Sequence, residues 1–285
     1  MLPCFISHIV FALFLFVFSA PLAHGDSTDD DLQQAHQALM NQQADKAIQL
    51  ASKAIAADPK NARGYLLRGS GYEILRQHEK AIADFTRCLE LDPKLAAAYD
   101  HRGSEQFILG HIKESLNDFD KYLELQPSAA PDHWKRGISL YYAGRYEDGR
   151  KQFKAGDKIF ADDVENAVWH FLCNAKVRGI EKARAEMLKI GKDKRVPLMD
   201  IYDLFLGKCK PADVLAAAEA GDVPGDLRKQ QLFYAHLYLG LYYDALGNKL
   251  KALDHMGLAA GKYHFGYMGD VANVHAKLLS KEGEK

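Results

Sequence analysis

At 285 residues, 48% of them apolar, the chain is long enough to bury a sizeable core. Its 37 basic and 38 acidic residues nearly cancel, so no global charge argues for nucleic acid or an anionic membrane surface as a partner. Four cysteines, one of them Cys4 at the extreme N-terminus, leave an odd three elsewhere and exclude a disulfide framework as the organising principle.

From Phe5 to Ala20 runs an apolar segment, followed by Pro21 and by Ala23-His24-Gly25 ahead of Asp26. An apolar stretch, a helix breaker and small residues before an acidic start read as a secretory leader over 1–25. No lysine or arginine precedes the run, so an uncleaved signal anchor is the alternative, the run approaching the roughly 18 to 20 residues that span a bilayer. Both readings place the rest of the chain on the extracytoplasmic side, periplasmic or secreted. Residues 26–31 read as an acidic solvated spacer.

A 34-residue period then takes over: Tyr65 falls on Tyr99, Arg68-Gly69 on Arg102-Gly103 and Phe85 on Phe119, with Gly137 and Phe153 one step further. Such a period dictates architecture. It divides 32–163 into four units in the register 28–61, 62–95, 96–129 and 130–163. In the second unit, Tyr65, Gly69 and Tyr72 share one face of a first helix, Gln77-His78-Glu79-Lys80 is a polar turn, and Ala81, Phe85, Cys88 and Leu89 share one face of a second helix. Asp92-Pro93 ends that helix. Large Phe85 against small Ala81 and Gly69 implies stacking between units, and Cys88 reads as a buried small residue. The first unit keeps Ala47, Ala51, Ala54 and Pro59 but lacks the aromatic and the glycine, as terminal repeats do. The third departs at Gln106 and Ser115, the fourth at Gly149, Gly156 and Ala161.

Beyond these units the period blurs. Asp162-Asp163-Val164-Glu165 marks a helix start, Trp169, Phe171 and Leu172 supply bulk, and Ala183 and Met187 belong to a second helix, making 164–226 a degenerate unit plus an irregular helical insert. Pro197, Gly207, Pro211 and Pro224 bound two short helices in the insert, near Met199 to Leu206 and Ala212 to Ala220. A last unit follows in 227–285, where Gly240 and Ala252 reproduce the interval from Gly69 to Ala81 and Met256 and Ala259 continue the second helix. A closing helix from Asp270 to Leu279, striped by Val271, Val274 and Leu278, is expected to cap the open end. The fold class is all-α: a solenoid of stacked antiparallel helix pairs with a degenerate C-terminal part and a capping helix. A Cys173 to Cys209 bridge is left open by the sequence.

The pattern resembles the tetratricopeptide repeat family from Ala62 to Phe153, its large, glycine, aromatic, alanine, aromatic, alanine and proline positions falling on Tyr65, Gly69, Tyr72, Ala81, Phe85, Cys88 and Pro93. The order of units is also similar to that of the new lipoprotein I family of bacterial periplasmic lipoproteins, through the run Arg136 to Arg145 and through Phe233-Tyr234 leading into Leu239 to Tyr243. That likeness implies an envelope adaptor holding cell-wall hydrolases and a processing protease, although the lipid-attachment cysteine of those proteins is absent here.

No His-Glu-x-x-His helix, Walker loop or Gly-x-Ser-x-Gly elbow occurs, and His236, His255, His264 and His275 lack compact ligand spacing. No metal, cofactor or catalytic residue is therefore expected. The resemblance implies instead a concave face lined by first helices, with Leu66, Ser70, Asp100, Ser104, Phe107, Trp134, Ile138 and Tyr141 as the positions open to a protein partner. Trp134, Ile138 and Tyr141 form either an exposed apolar stripe of the hot-spot type or, if Trp134 folds back, a stack in which it replaces His133. Leu66, Ser70 and His101 stand where a carboxylate clamp needs asparagine and lysine, against that use. The reading is a non-catalytic interaction scaffold. An enzyme with its site in the insert and a homodimer through the helical ends are the alternatives, and membrane contact is expected only through an uncleaved leader. Mass spectrometry of the native protein is expected to find a mature chain starting at Asp26; an intact Met1 in a soluble cytoplasmic fraction would overturn export.

Overall fold

The computed structural model describes residues 25–283; residues 1–24 of the expected leader, Cys4 among them, lie outside these. Every regular element among these residues is helical. Four antiparallel pairs come first: α1 (Gly25–Met40) with α2 (Ala44–Ala57), α3 (Ala62–Ile74) with α4 (His78–Leu91), α5 (Ala96–Ile108) with α6 (Ile112–Leu125), and α7 (Trp134–Tyr142) with α8 (Tyr146–Ala155). Then follow α9 (Val164–Arg178), the short α10 (Ile180–Ala185), α11 (Leu198–Phe205) and α12 (Pro211–Glu219), the pair α13 (Gly225–Ala245) and α14 (Lys249–Ala260), and α15 (Gly266–Gly283). None of these helices is long and apolar enough to cross a membrane. The stretch 26–31 is the start of α1 rather than a solvated spacer: Asp31 is buried and accepts from Lys53 Nζ on α2 at 2.9 Å.

The second, third and fourth pairs are each held by a ring set into a glycine notch. A Cβ on Gly69 would lie 2.7 Å from Phe85, one on Gly103 2.8 Å from Phe119, and one on Gly137 2.6 Å from Phe153, so any larger residue forces the two helices apart. This notch lies within a unit, not between units as the sequence implied. The ring's other contact reaches the next unit: Phe85 stacks on His101 at 5.3 Å, Phe119 packs on His133 at 4.8 Å and Phe153 on Trp169 at 6.3 Å. One side chain thus fixes both the pair and the stack.

Beside the notch runs a polar ladder with the same period. Arg68 holds Asp84 with two hydrogen bonds of 2.8 Å, and Arg102 holds Asp118 at 2.8 and 2.7 Å; both carboxylates are buried, so the forked pairing offsets their desolvation. In the fourth unit Arg136 reaches Gln152 and Asp120 instead. Between pairs, Asp58 and Asp92 each accept the amide two residues on at 3.0 Å, closing the turn before the next first helix. Within pairs, the turn needs a positive φ, met by Gly110 and Gly144 in units three and four but by Gln42 and Arg76 in units one and two. A non-glycine residue there costs about 1 kcal/mol or more.

The irregularities of the fourth unit have steric reasons. Gly149 replaces alanine because a Cβ would lie 2.8 Å from Cys173 Sγ, and Gly156 leaves room for Phe160 at 2.9 Å. α9 is buried on nearly every side, packing against α7, α8, α11 and α13. α10 stops after 6 residues, so Met187, expected on a helix, lies beyond it and is still buried. Cys88, Cys173 and Cys209 are free thiols; burial pushes Cys88 up to about 12 and Cys173 higher still, and Cys209 donates to the Asp200 carbonyl at 3.3 Å.

The C-terminal helix departs most from expectation. α15 starts earlier than Asp270 and does not close an open end: it packs on α14 and turns back to touch α5, so the solenoid closes on itself.

Phe119→Ala is expected to destabilise by about 3 to 5 kcal/mol in chemical unfolding, since it empties a notch that the backbone cannot collapse to fill. A loss under about 1 kcal/mol would contradict the notch. His170 is buried with no partner for either ring nitrogen among the described residues, and burial, with Arg150 and Lys154 adding to it, lowers its pKa to about 4. Because the unfolded side chain titrates near 6.5, the unfolded chain binds the extra proton between those values. Stability is therefore full above about pH 6.5 and falls as pH drops toward 4; His170→Phe is expected to flatten that slope in thermal unfolding.

Candidate functional site

The first helices α3, α5 and α7 line the inner face of the curve, and α9 continues it. Sequence spacing puts their non-packing residues there, but α15 and α9 cover much of it. Phe107, Ile138 and Tyr141 are 0%, 1% and 5% exposed, and Ser104 is also buried. Leu66, Ser70, Asp100 and Trp134 are half-buried. The expected exposed stripe of Trp134, Ile138 and Tyr141 is therefore corrected: Tyr141 packs among Tyr142, Tyr146 and Trp169, and Ile138 joins the core. Nor does Trp134 replace His133, whose ring stays against Phe119 and Tyr122. Tyr141 is covered by its own pair and by Trp169 of α9, while over Phe107 and Trp134 another element of the same chain arrives.

That element is α15. Its Tyr267 stacks on Phe107 at 5.6 Å, meets Trp134 edge-on at 5.4 Å and lies under Lys135 Nζ at 5.8 Å. One turn on, Asp270 is 3% exposed and takes two hydrogen bonds from the Arg76 guanidinium, one of them 3.2 Å, with His264 Nε2 at 3.1 Å on the same carboxylate. Further along, His275 Nδ1 lies 3.0 Å from the Tyr142 hydroxyl.

The walls carry paired acids and histidines. His78 and Glu105 lie 2.7 Å apart, as do His101 and Glu73, while Asp100 contacts His133 at 3.0 Å and Lys135 Nζ at 3.1 Å. Burial opposes ionisation of Asp100, but His133 and Lys135 outweigh it and hold the carboxyl well below its usual range. Glu105 moves the other way, pushed up by burial that His78 only partly offsets. Lys135 Nζ also donates to Ser104 Oγ at 3.0 Å, and Ser70 Oγ donates to the Leu66 carbonyl at 3.1 Å, so both hydroxyls are engaged.

Where α15 leaves the face uncovered, a cleft of about 230 Å³ opens between α7, α9 and α15, bounded by Trp134, Phe160, Trp169, Met268, Asp163 and Glu165. Its acidic side belongs to a cluster in which the insert does bring ionisable groups together. Arg195 reaches Asp163 at 2.9 Å, Glu165 at 2.6 Å and Asp193 at 2.6 Å. The free valences are taken: Asp193 accepts the Val164 amide at 3.2 Å, and the Tyr238 hydroxyl donates to Glu165 at 2.5 Å. The cluster pins the insert to the start of α9. Glu165 is raised by burial and by Asp163.

Arg76, Tyr267 and Asp270 escaped the sequence reading. Arg76 carries a signal in hindsight, since it stands in register with Gly110 and Gly144. Tyr267 and Asp270 carry none, being outside any repeat.

The tetratricopeptide repeat family model matches residues 62–95, the second unit. Among curated proteins none matches the chain in sequence. Among solved structures, a tetratricopeptide repeat protein from Parabacteroides merdae aligns with TM-score 0.56 at 17% identity, over 90% of this chain and 100% of that one. MamA aligns with TM-score 0.52 at 18% identity, over 70% and 100%. PilW, a type IV pilus biogenesis factor, aligns with TM-score 0.50 at 17% identity, over 86% and 97%. At these identities the likeness is one of fold. The matched unit, the repeated notch and the stacked helix pairs agree: residues 62–95 form a tetratricopeptide repeat, and the chain has the all-α solenoid fold of stacked helix pairs.

Proposed function

We propose that the chain is a non-catalytic adaptor that binds segments of other proteins along the inner face of its solenoid, on the extracytoplasmic side. The observation that carries this reading is that the inner face already accommodates a helix, α15, through aromatic and charged side chains on α5 and α7 and on the turn after α3. Aromatic and arginine side chains in such a setting are the residue types that dominate binding energy. The adjoining cleft at Trp134 gives a partner segment a place to seat one side chain. The leader-like N-terminus supports export, and the similarity in unit order to periplasmic lipoproteins supports recruitment of envelope enzymes. Without their lipid-attachment cysteine, the chain would act in solution or through an uncleaved leader.

Crosslinked capture from an envelope fraction with the full chain tests this, with Trp134→Ala and Glu147→Lys compared. Trp134→Ala is expected to cost at least about 2 kcal/mol of partner affinity. Glu147, in the first turn of α8 and paired with Arg150 at 2.7 Å, is expected to leave affinity unchanged on reversal. If Trp134→Ala lowers the unfolding temperature but not the affinity, Trp134 is a packing residue and the inner-face reading fails.

A further inference from the structure

Three features of the α15 contact stand apart from ordinary core packing. First, its recognition elements lie on one face of one helix: Tyr267 and Asp270 are three residues apart, hence neighbours on the helix surface, and each meets its own complement, Tyr267 on Phe107, Trp134 and Lys135, Asp270 on Arg76. Second, Arg76 occupies a turn position whose backbone, at φ +56°, favours glycine, and the equivalent residues in the next two units are Gly110 and Gly144. A side chain is kept at a conformational cost where its charge reaches the groove. Third, the fit is incomplete: the Tyr267 hydroxyl is buried and has no hydrogen-bond partner among the described residues.

The same face of α15 is also buried, because Val271 and Val274 follow Tyr267 and Asp270 by one turn each. Val271, Ala272 and Val274 belong to the apolar core shared with Met256 and Ala259 of α14, and the five residues from Gly261 to Phe265 join the two helices, with Gly266 following at φ +52°. α15 is thus held by apolar burial together with the Asp270 ion pair, the Tyr267 ring contacts and the contact of His275 with Tyr142.

We propose that α15 is an internal stand-in for the partner: the surface made by Arg76, Phe107, Trp134 and Lys135 takes an amphipathic helix that presents an aromatic residue and, three positions later, a carboxylate, and α15 gives way to it. This rests on the reading of the inner face as a protein-binding surface. A helix laid in a groove reads its anchors at three- and four-residue spacing, so the internal occupant specifies the external one. A competitor that also satisfies the face without burying an unpartnered hydroxyl has the advantage, and the chain's own helix sets the threshold that it must exceed.

The test uses the full chain and a fluorescent synthetic peptide covering residues 266–283, with the same peptide carrying lysine in place of Asp270 as control. Asp270→Asn in the chain unlatches its own helix while leaving Arg76 for the peptide. Arg76→Gly also unlatches it, in a backbone position that glycine suits, but removes the peptide's anchor. Hydrogen exchange of the α15 amides is expected to rise at least tenfold in both variants. Peptide affinity is expected to rise at least tenfold over the unaltered chain in Asp270→Asn only, and the control peptide to gain nothing. Unchanged exchange in Asp270→Asn, equal peptide affinity in that variant and the unaltered chain, or equal affinity in the two variants would each overturn the proposal. Loss of the peptide result while Trp134→Ala still abolishes partner capture would sink the stand-in alone; peptide binding with capture indifferent to Trp134 would sink the adaptor reading instead.

Discussion

A phenyl ring pressed into a glycine notch is the constraint on which the rest of the solenoid depends. Phe85, Phe119 and Phe153 each sit where a single added carbon on Gly69, Gly103 or Gly137 would collide with them. Close packing transmits that contact: the same rings touch His101, His133 and Trp169, so the spacing inside one pair sets the position of the next. The arginine ladder of Arg68 and Arg102 follows from it, because helices held this near bring Asp84 and Asp118 within forked reach. In the late unit Met256 occupies the notch at Gly240, an unbranched side chain doing with flexibility what a ring does with shape.

The inner face inherits its geometry from these notches. Because the first helices are fixed in register, Phe107, Trp134 and Lys135 present a ring, a second ring and a cation along one line, and Tyr267 finds all three. The acid and histidine pairs on the walls are mostly self-satisfied, which leaves the aromatic residues and Arg76 as the discriminating features. The charge cluster at Arg195 does a different task. With three carboxylates around one guanidinium and the remaining acceptors occupied by an amide and a tyrosine, it fastens the insert to α9.

The repeat itself was legible because glycine and large apolar residues recur at fixed intervals, and a steric rule that acts within 40 residues leaves a mark in one sequence. Gly149 and Gly156 depart from the alanine positions of the repeat, yet each answers a neighbour, Cys173 and Phe160, that local pattern does not name. The functional surface was legible only as a set of positions. Leu66, Ser70, Asp100, Ser104, Phe107, Trp134, Ile138 and Tyr141 follow from the helical period, but their exposure depends on how far the curve closes. That is decided by the sum of many inter-unit angles and by Tyr267 and Asp270, which belong to no repeat. An ion pair between residues 194 apart leaves no periodic signal.

Closure also changes how such a chain comes apart. An open stack is held by nearest-neighbour interfaces, and its ends fray at the cost of one interface at a time. Here the C-terminal helix is bonded to the second and third units, so the terminal pair cannot fray without first breaking a contact in the opposite half of the molecule. The stack becomes a loop clasped by α15. Opening the clasp restores one-dimensional behaviour, so the cooperativity of unfolding, and not just its midpoint, depends on whether Arg76 and Asp270 are joined.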